Sequence, residues 1–264
     1  MDIPLCPIEH KPQILLTDPA ALPLCREQSA RFAGAIAPDG ETCAAWAQSL
    51  APLPVGLVLD CPPVPDAGEC GRPVTMVYMQ QCKQAFRALL HDDAAFYCLR
   101  GAQTFAALRA AVLALGDLCG RTVIAELLVE DDEGHLADGT DVRAAVGVLQ
   151  RIGVTTVILT AHDPQSITEA LDMTAPYARL SLGVCVHSAW LRAQTPLYNT
   201  EIFLPAEHDD TARLLAAIDA HTGGTVVERD HDDFILAPDG KNAHFIDPTI
   251  DISDEIECGP RLEE

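Results

Sequence analysis

The chain has 264 residues, 48% hydrophobic and 21% charged. That length and composition suit one α/β barrel or two small folded domains and exclude a disordered chain. The formal net charge of −22 argues against nucleic acid and anionic membrane surfaces as partners, because like charges repel.

No apolar run reaches the roughly 18 residues a membrane span needs. The N-terminal run MDIPLCPIEHK lacks a basic n-region and an apolar core, so it does not read as a signal peptide. The ten cysteines are therefore expected in a reducing, cytoplasmic setting. None forms a CxxC pair, so no zinc knuckle is indicated.

In chain order, near-continuous apolar runs predict strands at Gln13–Thr17, Val55–Asp60, Ala94–Leu99, Thr122–Val129, Thr155–Thr160, Leu180–Val186 and Gly224–Glu228. Such runs fit parallel strands buried on both faces. Helical patterns fall between them, at Met79–Leu90, Thr104–Leu118, Asp141–Ile152, Gln165–Tyr177 and Asp209–His221. This βα alternation predicts right-handed βαβ units. Periodicity alone leaves barrel and open sheet undecided, although seven strands favour the barrel. Pro62–Pro73 and Trp190–Pro205 read as long loops after strands, where a barrel builds its site. Phe234–Cys258 reads as a hairpin around PDGKN. The expected domains are a barrel over 1–232 and a C-terminal hairpin-like appendage over 233–264.

Several segments carry a family resemblance. They are EGHLADGT (Glu133–Thr140), GVTTVILTAHDP (Gly153–Pro164), LSLGVCVHSAW (Leu180–Trp190), TGG (Thr222–Gly224), LLTDPAA (Leu15–Ala21) and VLDCPP (Val58–Pro63). As an ordered series they resemble the homocysteine S-methyltransferase family, the barrel module of cobalamin-dependent methionine synthase. The resemblance implies a TIM-like (β/α) barrel. It also implies a zinc ion held by three thiolates, which suits a soft ligand set with an open position for the substrate sulfur. Here His162 stands where the first zinc cysteine belongs, and Thr225 and Val226 replace a Cys-Cys pair. No metal and no cofactor are expected, and zinc enters only through a rebuilt site. The family's first strand has no evident counterpart before Gln13, so the barrel is expected to be incomplete or modified there. The edge this would leave invites a second copy of the chain.

Strand ends carry the candidate site: Asp60, Arg100, Glu126, His162 and His187. Glu126 is the one charge in an apolar strand, a ligand-binding or general-base carboxylate if it is not simply satisfied near the rim. Arg100 suits a substrate carboxylate, or an ion pair with a neighbouring acid. His162 and His187, with Cys185 or Glu126, offer a different metal set. Asp18, Cys61, Cys98, Asp163 and Glu228 also fall near the mouth. Asp163-Pro164 reads as a helix cap, and His231–Asp233 as a solvated turn. The expected function is a degenerate methyltransferase-like barrel that binds a small amino-acid-like ligand or a partner such as a corrinoid- or folate-handling subunit. The alternatives are an active transferase with a rebuilt metal site, and a metal-free barrel enzyme on an amino-acid-like substrate.

Overall fold

The computed structural model describes residues 13–64, 74–192, 200, 202–206 and 210–221. Within them the chain forms a closed parallel barrel of eight strands: β1 (Gln13–Leu16), β2 (Phe32–Ala37), β3 (Val55–Asp60), β4 (Phe96–Arg100), β5 (Thr122–Val129), β6 (Val154–Ala161), β7 (Ser181–Val186) and β8 (Ile202–Pro205). The α-helices among these residues are α1 (Leu22–Glu27), α2 (Gly40–Leu50), α3 (Val74–Arg87), α4 (Phe105–Leu118), α5 (Val142–Arg151), α6 (Pro164–Thr174), α7 (Ser188–Arg192) and α8 (Thr211–His221). No helix among them is long and apolar enough to cross a membrane.

The βα alternation is as the sequence reads, but the expected gap at the first strand is filled. Gln13–Leu16 is itself the first strand, paired in parallel with β2 on one side and β8 on the other. The two strands not anticipated are Phe32–Ala37, rich in alanine and glycine, and Ile202–Pro205, set within an expected long loop. Closure removes the open edge, and with it the reason for expecting self-association through that edge. The barrel closes upstream of Thr225 and Val226. These two residues, the expected strand Gly224–Glu228, the tract His231–Asp233 and the hairpin-like appendage lie outside the described residues.

Two apolar layers hold the fold. Outward-facing strand residues such as Leu57, Leu99, Val157 and Leu182 pack beneath the helices with Ala110, Leu115 and Leu149. The barrel interior is a smaller cluster of Leu15, Ile36, Phe96, Cys98, Ile124, Ile158 and Leu204, with Val58 and Cys185 against it. Its volume is managed by glycine facing a large side chain. A Cβ on Gly56 would lie 2.3 Å from the Phe96 ring, and one on Gly183 would lie 2.5 Å from Ile158 Cδ1. Helix starts are fixed by side-chain caps. Asp39, Thr104, Asp141 and Asp163 accept backbone N–H bonds at the first turns of α2, α4, α5 and α6. The reading of Asp163 as a cap is thereby met.

Candidate functional site at the barrel mouth

Strand alternation places Asp60, Arg100 and Glu126 on the interior face, because each lies two residues beyond an interior residue: Val58, Cys98 and Ile124. Register then sets them side by side. Asp60 lies opposite Arg100 across β3 and β4. Leu99 lies opposite Ala125 across β4 and β5, so Arg100 and Glu126 follow as neighbours. The mouth thus presents an acid, a base and an acid in one row over three consecutive strands.

Arg100 Nε donates to Asp60 Oδ1 at 2.6 Å. Their side chains are 51% and 69% exposed, so the pair sits at the rim in water and adds little to stability by itself. Arg100 is held even more firmly protonated than usual by its bond to Asp60. Glu126 lies deeper and is half-buried. Burial pushes its carboxyl pKa up; Arg100 opposes the shift and Asp60 adds to it. Beyond Glu126, Leu128 is 39% exposed and supplies an apolar surface to the mouth, opposite Thr160 on β6.

Two thiols complete the wall. Burial pushes Cys98 and Cys185 up to about 12, with Glu126 adding to both. Thr160 is within hydrogen-bonding reach of the Cys185 sulfur. Cys61, one residue past Asp60, is also pushed up to about 12 by burial. It packs against the outer layer, and its backbone N–H donates to the Arg100 carbonyl at 2.9 Å. The reactive species of a thiol is its thiolate. At pH 8 a pKa near 12 leaves about one thiolate in ten thousand thiols. Iodoacetamide labelling followed by mass spectrometry should find these three cysteines more than about a hundredfold slower than a free thiol. Labelling at the free-thiol rate would contradict their enclosure.

The two histidines do not join the row. His162 follows β6 and is 72% exposed, with Nε2 3.7 Å from a Glu130 carboxylate oxygen. His187 follows β7, is exposed, and meets Trp190 edge-on at 5.4 Å. Asp18 caps the short turn after β1 by accepting from the Ala20 N–H. Among the described residues, no three of His, Cys, Asp and Glu converge as a metal-holding group. The closing strand β8 ends in Leu204 and Pro205, which are not metal ligands. The described donors therefore do not fit a thiolate-held zinc ion.

The loop between β5 and α5 carries the segment EGHLADGT, none of whose residues the sequence singles out as a site candidate. It is braced by bridges from Val129 to Leu136 and from His135 to Asp141. Asp131 accepts from the His135 N–H at 2.9 Å and faces its ring Nδ1 at 3.0 Å. Asp138 reaches across to accept the Phe105 N–H at the start of α4, at 2.7 Å. An open depression of about 670 Å³ is lined by Glu130, Asp131, His135, Leu136, Ala137 and Gly139. The clue in the sequence is the pair of glycines at 134 and 139, both with positive φ, which permit the tight folding of this loop.

No protein-family model matches the chain, and no curated protein does. Solved structures do resemble it. The apo form of the homocysteine methyltransferase MmuM from Escherichia coli superposes with a TM-score of 0.59 at 17% identity, over 81% of this chain and 97% of that one. Its metallated form gives 0.55 at 17% identity, over 80% and 96%. The carboxyl transferase domain of pyruvate carboxylase from Rhizobium etli gives 0.53 at 11% identity, over 81% and 44%. At these identities the likeness establishes the barrel fold.

Proposed function

We propose that the chain is a homocysteine-methyltransferase-like barrel that binds a small amino-acid-like ligand at its mouth, without zinc-thiolate methyl transfer. The observation that carries this reading is the row Asp60–Arg100–Glu126. A guanidinium beside an exposed carboxylate offers a cationic partner for a ligand carboxylate in Arg100 and an anionic partner for its ammonium in Asp60. Arg100 meets Asp60 through Nε alone in the bond described above, so its two terminal nitrogens are not used in that bond. Leu128 offers apolar surface to the rest of the ligand.

The test is calorimetric titration of the full chain with L-homocysteine and L-methionine, with and without added zinc. Binding is expected to be indifferent to zinc. It should weaken about 10- to 100-fold in Arg100→Ala, the worth of a lost charged hydrogen bond of about 1.5–3 kcal/mol. Stoichiometric zinc that disappears in His162→Ala would instead support an active transferase with a rebuilt metal site.

A further inference from the structure

We propose that the mouth binds the anionic end of its ligand together with a proton, which Glu126 takes up. This rests on the reading of the mouth as a small-ligand site. It names the anchoring group as a carboxylate-class anion and adds a proton to the binding step.

Arg100 already serves Asp60 at 2.6 Å and stands beside Glu126 through the register of β4 and β5. The groups facing Glu126 from the packed strands are Asp60 on β3, Cys98 and Arg100 on β4, and Cys185 on β7. On β6, Ile158 lies opposite it and is fully buried. Arg100 is the one cation in that set. A ligand anion arriving at Arg100 sets three carboxylates around one guanidinium. Close carboxylates do not all stay ionised, and the one with the least water neutralises first. Asp60 is 69% exposed and keeps its charge in water. Glu126 is half-buried between thiols and isoleucine, so the proton goes there. The step balances simply: an O–H bond forms on a Glu126 carboxylate oxygen, and the buffer acid gives up the proton. Burial already raises the pKa of Glu126 in the free protein, which lowers the cost of the uptake.

The experiment is calorimetric titration of the full chain with propionate and with L-methionine near neutral pH, in phosphate and in Tris, whose ionisation heats differ widely. The expected result is a difference in observed heat equivalent to up to about one proton taken up per ligand bound, and affinity that falls by up to about tenfold per pH unit as pH rises. In Glu126→Gln the heats should agree between buffers and the pH dependence should flatten. Glu126→Asp, which keeps an acid, should retain the buffer difference. Equal heats in the two buffers for the unaltered protein would overturn the proposal while leaving the binding reading intact. No heat from either probe in either buffer would overturn the binding reading, and the proposal with it. A buffer difference that persists in Glu126→Gln would assign the proton elsewhere and also overturn it.

Discussion

Gly56→Ala is expected to destabilise the barrel by about 1–3 kcal/mol, the usual cost of overpacking a filled core. The new methyl carbon would lie 2.3 Å from Phe96 Cε2, 2.4 Å from Cδ2 and 2.7 Å from Cζ. The ring has little room to retreat. It is 6% exposed, it belongs to the interior cluster, and its Cε1 lies only 3.5 Å from where a Cβ on Gly34 would sit. Gly34 and Gly56, on β2 and β3, together make the space that the ring fills. Phe96→Leu alone should also destabilise, by about 1 kcal/mol or more, through lost packing. In that background, however, Gly56→Ala should cost far less, because its clash partner is gone. Urea denaturation of the four proteins closes the cycle. Strict additivity of the two substitutions would show that the ring and the glycine are not coupled.

This packing also explains what the sequence revealed and what it concealed. Val55–Asp60 and Thr122–Val129 are legible because each is a long apolar run, and the observed strands have the same bounds. Phe32–Ala37 is a strand of small residues, FAGAIA, whose alanines and glycine have no strand preference of their own. It is a strand because Gly34 lets the chain pass close to Pro54. A Cβ there would meet the Pro54 carbonyl oxygen at 2.6 Å. Ile202–Pro205 is only four residues long, too short for periodicity to register, and the closure of the barrel defines it. The same division holds at the site. Glu126 is legible as the one charge in an apolar strand, and Asp60 and Arg100 as polar residues at strand ends; the observed strands, with β4 running on to Arg100, place all three inward. Their meeting depends on the stagger between strands, which no single segment encodes. From sequence, His162 and His187 read either as part of a different metal set or as groups bonded locally. Both lie past the strand ends, where alternation no longer governs direction, and each meets a local neighbour, Glu130 or Trp190.

Glu126→Gln should make the fold less sensitive to pH, and the direction follows from where its proton is held. Burial raises the folded-state pKa of Glu126 above that of an ordinary carboxylate. Below the ordinary carboxylate range, Glu126 is protonated in both folded and unfolded chains, and the substitution should be close to neutral. As pH rises, the unfolded chain ionises first, so the stability present at low pH is lost through the window that ends at the raised folded value. Glutamine does not ionise and escapes that loss. Above the window the variant should therefore be the more stable protein, by about 1 kcal/mol or more, the scale for a polar group stripped of water without full compensation. Arg100 is the nearby charge that holds the shift down. Arg100→Ala should accordingly widen the gap between glutamate and glutamine at neutral pH. Urea midpoints for the four combinations, measured from about pH 4 to pH 8, read this directly. Parallel profiles for glutamate and glutamine would mean that Glu126 titrates as it does in water and is not the enclosed member of the charged row.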